Sequence, residues 1–399
     1  MSVTVEQEAY EMPADNKKVM LKIEEVHLHS CGVFSNVYKG ILREPHEKNI
    51  AIKKSWPEKG ERNFEFIFLT GRERTKHKNV IHMIFAFSHS YGTKVCESYV
   101  FDYMPNTLAE VIRQKLTDLD IRLYTWQIFS GLKYLEEHRV VHRDLKPVNI
   151  LVDHDTGFLK ISDFGSVKII VKGKANNHYQ VTRFYRPPEL LQKAMEYNCT
   201  VDVWSAGCIM AEMVKRRVVF PGRDSAQQMK LYCRCFGVPT EQDILAMKGE
   251  RLENELWKFT KGFGLQRLVT EITPDQLQFI KRILVYTPEK RLHGKQLLQD
   301  DFFQTKTPRQ SVLLYWSRLT TGIRGFQTVR RATLMRMFFR EDQHLSRRNR
   351  RWLVMSNRMR TTLTIDVVGH QVKIVDHRRL RRLLLSVPNR TETRQRNRQ

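Results

Sequence analysis

The sequence predicts an α+β protein of two lobes, a β-rich one over about residues 21–101 and a helical one over about 107–303, followed by an arginine-rich extension over 304–399. Three observations carry this reading. Short strand-like runs crowd the first stretch, among them Val37-Tyr38-Lys39-Gly40-Ile41 and Ile50-Ala51-Ile52-Lys53. In the second stretch apolar residues recur three and four apart, as in Ile121 to Ile128 and Leu132 to Leu135, which is helical spacing. Charge changes abruptly after residue 303: residues 304–399 hold 23 Lys and Arg against 5 Asp and Glu, a net +18 of the +25 on the whole chain.

Composition narrows the class. Apolar residues make up 41 % of the chain, enough for a buried core, and no apolar run approaches the ~20 residues of a membrane helix. The first 20 residues are polar, acidic and unpatterned, so they read as a flexible leader without the apolar stretch of a secretory signal. The six cysteines lack metal-ligand spacing and read as reduced, buried thiols of a cytoplasmic or nuclear protein.

Taken in order, the elements bring a set of chemically specific residues. Ser30 to Val37 is a loop with one glycine, Gly32, between two strand candidates. Lys53 ends a strand, and twelve residues on Glu65 lies on a helix candidate spanning Phe64 to Thr70. His142-Arg143-Asp144-Leu145-Lys146-Pro147-Val148-Asn149 follows the long helical stretch. Asn149 to Val152 and Leu159 to Ser162 read as a hairpin around the turn 153–157, and Asp163-Phe164-Gly165 comes directly after it. Phosphoryl transfer needs a carboxylate to accept a hydroxyl proton, oxygen ligands for magnesium and a cation beside the moving phosphate. Asp144, the pair Asn149 and Asp163, and Lys146 are residues of those types. Each motif alone has an ordinary explanation: Lys53 and Glu65 as a surface ion pair, Asp163 to Gly165 as a turn, Ser30 to Val37 as any connecting loop. Their joint occurrence, in order and at consistent spacing over about 160 residues, favours the chemical reading.

These residues together resemble the protein kinase signature set, and a finer likeness is to the glycogen synthase kinase-3 family. It rests on Asp163 to Lys168, His178-Tyr179-Gln180-Val181-Thr182-Arg183-Phe184-Tyr185-Arg186-Pro187-Pro188-Glu189, Val201 to Cys208, Phe220-Pro221-Gly222 and Tyr286 to Leu292. The resemblance covers roughly residues 20–303 and reaches the broader group of cyclin-dependent and mitogen-activated kinases. It implies the bilobal kinase fold and a signalling enzyme that uses ATP and Mg2+ to phosphorylate serine or threonine of protein substrates. It implies Asp144 as catalytic base beside Lys146, Asn149 and Asp163 as metal ligands, and Lys53 and Glu65 as the pair that orients the nucleotide. Gly32, Val37, Ala51 and Leu151 would enclose the nucleotide, with Phe101 as gatekeeper and Asp102 and Met104 in the hinge. Tyr179 would be the activating phosphosite, docking on arginines such as Arg183 and Arg186. Arg143 and Lys168 would hold the phosphate of a primed substrate, and Glu189 and Arg291 would form a buried ion pair.

The chain departs from the family pattern in four places. Ser30 and Ser35 replace loop glycines, which predicts weaker ATP affinity through restricted backbone freedom; an inactive scaffold is the alternative that this departure leaves open. Phe64 replaces the third basic residue of the primed-substrate pocket, which predicts a weakened dependence on priming, with Arg62 close by in sequence. The leader lacks an arginine, so pseudosubstrate inhibition from that segment is not expected. The extension 304–399 has no counterpart in the family. Twenty-one of its 23 basic residues are arginine, which suits docking to acidic protein partners or contact with nucleic acid or a membrane surface. Within it Thr361 to Val368 and Gln371 to Val375 alternate like a hairpin, and Arg378 to Leu385 has the pattern of a short basic helix.

Overall fold

The chain begins with a barrel. In the computed structural model, which describes residues 4–12, 17–32, 35–57, 63–71, 77–92, 94–171 and 182–303 together with two strands near the C-terminus, six strands close on themselves. They are β1 (Val5–Glu11), β2 (Lys18–Cys31), β3 (Ser35–Glu44), β4 (Lys48–Ser55), β5 (Phe85–Tyr91) and β6 (Lys94–Asp102), in the order β1-β2-β3-β4-β6-β5. Side chains alternate across each strand, so Leu21 and Ile23, then Ile50 and Ile52, point the same way. With Ala9, Leu42, Phe85 and Val100 they form one buried cluster inside the barrel.

The polar leader expected over residues 1–20 is therefore corrected. Val5–Glu11 is a strand, paired with β2 in the register Ala9↔Val19 and with β5 through Tyr10↔Ala86. Its sequence reads as polar because only Ala9 and, just after the strand, Met12 are buried. Backbone pairing that closes the barrel edge, rather than apolar content, holds it.

Between β4 and β5 lies α1 (Phe64–Leu69), close to the helix expected over Phe64 to Thr70. After β6 the chain becomes helical. The short β7 (Asn106–Thr107) and α2 (Leu108–Val111) lead to α3 (Asp118–Glu137), which is opened by a capping box between Thr117 and Asp120. Fourteen of its twenty residues are buried, so it is a central helix. Next come β8 (Val140–Val141), the hairpin β9 (Ile150–Asp153) and β10 (Phe158–Ile161), and β11 (Lys168–Ile169), which pairs back on β8. The hairpin matches the one read from the sequence, and Leu159 and Ile161 are fully buried.

The helical lobe continues with α4 (Pro188–Leu191), α5 (Thr200–Lys215), α6 (Ser225–Phe236), α7 (Glu241–Met247), α8 (Pro274–Lys281) and α9 (Gly294–Leu298). Helix α5 is buried on nearly every side. It reaches its neighbours closely because Gly207 has no side chain: a Cβ there would lie 2.8 Å from Cγ2 of Ile283 and 2.9 Å from Cδ2 of Leu284. Glu189 and Arg291 form the expected buried pair, with two contacts of 2.6 Å and exposures of 1 % and 0 %.

Residues 335–399 form a separate unit, in which β12 (Leu363–Val368) pairs antiparallel with β13 (Gln371–Asp376). This is the hairpin anticipated from the alternation. The proposed basic helix from Arg378 and the rest of the extension lie outside the described residues. Among the described residues no helix is long and apolar enough to cross a membrane. Cys96, Cys208, Cys233 and Cys235 are buried as expected and Cys199 is partly so, but Cys31 is exposed, at the strand end that enters the glycine loop.

Candidate active site

Three segments meet around Lys53. It sits on β4, where alternation turns it away from Ile52 and the barrel core. Asn63 caps α1 by accepting the N–H of Phe66, which fixes the start of the helix and so the place of Glu65 in its first turn. The Lys53 ammonium donates to both Glu65 oxygens, at 2.8 and 2.7 Å, and to Oδ1 of Asp163 at 2.9 Å. Burial alone would push this ammonium down, but the two carboxylates outweigh it and hold it above the usual lysine range. The same contacts act on Asp163: burial raises its carboxyl, Lys53 lowers it by more, and the net direction is down. Asp163 is thus held as an anion at a turn where its own φ is +61°.

Phe164, next in sequence, is fully buried. It stacks on Phe68 of α1 at 4.4 Å and meets the His142 ring edge-on at 5.0 Å, and its N–H donates to Glu65 at 3.3 Å. The aromatic contacts tie α1 to the segment that carries Asp163. Phe68 was not singled out in the sequence, because one aromatic on a short helix has no signal of its own.

The loop after β8 holds the second group. Asp144 is 7 % exposed, and Asn149 Nδ2 donates to its backbone oxygen at 2.8 Å and to Oδ2 at 3.1 Å. Since that amide nitrogen is committed to Asp144, the Asn149 oxygen is the atom left to face a cation. Lys146 Nζ lies 2.8 Å from Asp144 Oδ2 and donates to Thr182 Oγ1 at 2.9 Å, while the Thr182 N–H reaches Asp144 Oδ1 at 3.4 Å. Thr182 is a member of the site that the sequence reading missed.

The loop's shape depends on a second missed residue, Asp202. Arg143 takes φ +69°, a left-handed conformation that costs a non-glycine residue roughly 1 kcal/mol or more. The Asp202 carboxylate accepts the N–H groups of His142 at 2.7 Å and Arg143 at 2.9 Å, and so holds the turn. Burial pushes this carboxyl up, and the neighbouring N–H groups and cations oppose it. His142 Nε2 donates to the Ser162 carbonyl at 2.9 Å, and its Nδ1 accepts the Asp144 N–H at 3.3 Å, joining this loop to the Asp163 segment.

The expected nucleotide enclosure consists of apolar residues left half-buried. Val37, Ala51, Met104 and Leu151 are all of this kind, while Phe101 is buried and pairs with Ala51 across β4 and β6. Asp102 binds Lys48 at 2.9 Å, and the Tyr103 N–H donates to the Asn49 carbonyl at 3.2 Å, fastening the connection between the lobes. Gly32 N–H donates to the Ser35 carbonyl at 2.9 Å, and a Cβ on Gly32 would lie 3.1 Å from that same oxygen. Ser30 pairs with Val37, and Ser35 opens β3; neither has positive φ. The backbone restriction expected from these serines is therefore not incurred in this conformation, because both sit in extended strand ends.

Arg143 Nε donates to the Ser166 carbonyl at 2.6 Å, and its guanidinium reaches Tyr197 OH at 3.4 Å. Burial and the Arg143 charge push the Lys168 ammonium down, so these two cations act on one another. Phe64, at the third pocket position, is 52 % exposed. Tyr179 and Arg62 lie outside the described residues. Of the two arginines expected to receive a Tyr179 phosphate, Arg183 is exposed and Arg186 is only 6 % exposed, because the segment following the activation loop packs under α5 and α6.

The protein kinase domain family matches residues 30–303. The serine/threonine-protein kinase gskl-1 of Caenorhabditis elegans, so named, is 33 % identical over 293 residues, 71 % of this chain and 80 % of that protein. Protein kinase gsk31 of Schizosaccharomyces pombe is 33 % identical over 263 residues, 64 % of this chain and 68 % of the relative. Glycogen synthase kinase 1 of Pyricularia oryzae is 32 % identical over 286 residues, 68 % and 71 % of the two chains.

Proposed function

Because the chain belongs to the glycogen synthase kinase-3 family of serine/threonine protein kinases, we propose that its described site performs transfer to protein serine and threonine with Asp144 as the base. ATP is the phosphoryl donor and a divalent metal its companion, as the kinase domain implies. The substrate hydroxyl oxygen forms a bond to the γ-phosphorus as the bond from that phosphorus to ADP breaks, and the hydroxyl proton passes to Asp144. Lys146, between Asp144 and Thr182, holds a positive charge beside that path. Lys53, fixed by Glu65, would take the α- and β-phosphates, and Asn149, whose amide nitrogen is held by Asp144, would supply an oxygen to magnesium together with Asp163. When bound, magnesium offsets the negative charge that the phosphates carry. The observation that carries this reading is the pre-formed contact set of Lys53 with Glu65 and Asp163, a buried cation held by two carboxylates.

Two finer readings belong to the same proposal. Phosphorylation of Tyr179 adds about −1.5 to −2 charge, for which exposed Arg183 is the available partner, and it raises activity. Arg143 and Lys168 receive the phosphate of a primed substrate, with the preference weakened by Phe64. A charge-assisted contact contributes roughly 1.5–3 kcal/mol, so its loss costs about 10–100-fold in that preference. Kinetics on matched peptides with and without a phosphoserine C-terminal of the target test the second reading. A modest primed preference that rises with Phe64→Arg supports it; a strong preference in the wild type that Phe64→Arg leaves unchanged refutes it.

A further inference from the structure

Helix α1 carries Glu65 yet has only six residues, too few to be stable on its own. Its position has to come from tertiary contacts. One is Phe68 on Phe164, which belongs to the site already described. Another lies in β6, and no signature motif includes it. Tyr99 is the register partner of Lys53 across β4 and β6, so the two residues stand side by side in neighbouring strands. Its phenol is 2 % exposed. Asn63, the residue that caps α1, donates from Nδ2 to Tyr99 OH at 2.7 Å and to Glu97 Oε2 at 2.7 Å. The Tyr99 hydroxyl in turn donates to Glu97 Oε2. Above this triad the Phe66 ring stacks on the Tyr99 ring at 5.8 Å and 28°.

We propose that Tyr99, clasped between Asn63 and Glu97, is a positioning residue that fixes the start of α1 against β6 so that Glu65 meets Lys53 before nucleotide arrives. The chain of contacts is short: Glu97 orients the Tyr99 hydroxyl, both hold the Asn63 amide nitrogen, and the Asn63 oxygen holds the first turn through Phe66 N–H. All three polar groups are satisfied within the triad. Burial first, then the hydrogen bond to Glu97, raises the Tyr99 phenol above its ordinary range, so it stays a donor throughout neutral pH. The inference rests on the reading of Lys53 and Glu65 as the nucleotide-orienting pair.

The test is a mutant cycle on the full chain, reading kcat and KM for ATP well below the thermal midpoint. Tyr99→Phe keeps the ring on Phe66 and removes only the hydroxyl. It lowers kcat/KM by about tenfold, the value of one hydrogen bond to a charged group, and produces no further loss where Glu65→Ala is already present. Glu97→Ala, at a half-buried position, gives a similar loss, and Glu97→Gln, which keeps an acceptor oxygen, restores most of it. A loss from Tyr99→Phe that persists undiminished in the Glu65→Ala background would place its effect in general packing and overturn the inference. So would wild-type kinetics in Tyr99→Phe while Glu65→Ala is impaired. Unimpaired Glu65→Ala would instead remove the underlying reading of the Lys53 pair, and the inference with it.

Discussion

Replacing Glu189 by glutamine changes one oxygen to an amide group at the most enclosed charge pair among the described residues of the helical lobe. The Arg291 guanidinium has five N–H groups and five acceptors around it. Nε donates to Val285 O at 2.8 Å, Nη1 to Glu189 and to Thr200 O at 3.3 Å, and Nη2 to Glu189 and to Tyr286 O at 3.2 Å. The cation also lies over the Trp204 ring, 5.1 Å from its centre. Glu189→Gln leaves that cation at 0 % exposure without a counter-charge. Removing one partner of a buried pair costs roughly 3–5 kcal/mol, and at about 2 °C per kcal/mol for a domain near 300 residues the thermal midpoint falls by about 6–10 °C. Circular dichroism melts of wild type, Glu189→Gln, Arg291→Met and the double variant Glu189→Leu/Arg291→Met measure this. Both single variants should fall by that amount, and the double variant should recover much of it, since a pair of apolar residues carries no desolvation cost. A Glu189→Gln midpoint within 1–2 °C of wild type would show that the charge is not isolated and refute the reasoning.

Other outcomes follow from local geometry. His77 stacks on Tyr134 at 5.0 Å, its Nδ1 accepts the Asn79 N–H, and burial followed by nearby lysines pushes its pKa down to about 4. The unfolded chain, with an ordinary value near ~6.5, then binds more protons between those limits, so stability is complete above about pH 6.5 and falls as pH drops towards 4; His77→Phe should flatten this acid limb in denaturant titrations, and an unchanged limb would assign it elsewhere. Gly207→Ala forces a methyl into contact with Ile283 and Leu284, and should cost about 1–3 kcal/mol in urea unfolding, whereas a neutral result would mean that α5 shifts freely. Asp202→Asn removes the charged acceptor under His142 and Arg143 and should lower kcat more than KM for ATP, because it disturbs the Asp144 loop rather than the nucleotide enclosure.

Much of the architecture was legible because its signals are periodic or motif-bound. The apolar spacing of Ile121 to Leu135 gave α3, and the alternation on either side of residues 153–157 gave the β9–β10 hairpin. Lys53, Glu65 and Asp163 were chosen by spacing and do converge. What stayed hidden depends on long-range partners. Val5–Glu11 is polar in sequence and becomes a strand only because β2 and β5 offer it unpaired backbone. Thr182 and Asp202 fall inside segments that carry the resemblance but were given no role there, and Phe68 looks ordinary in the chain; their roles exist only through residues 38, 60 and 96 positions away. The restricted backbone freedom expected of Ser30 and Ser35 has no bearing on this conformation, because neither takes positive φ and both lie at extended strand ends.

The central claim is that Asp144 drives transfer to protein hydroxyls, and its most direct test is phosphate transfer from labelled ATP to a generic serine/threonine substrate by the full chain, beside Asp144→Asn. The account predicts turnover in the wild type and a loss of several orders of magnitude in Asp144→Asn, with its melting curve retained. Turnover that survives Asp144→Asn, or none in a folded wild type supplied with magnesium, would contradict it.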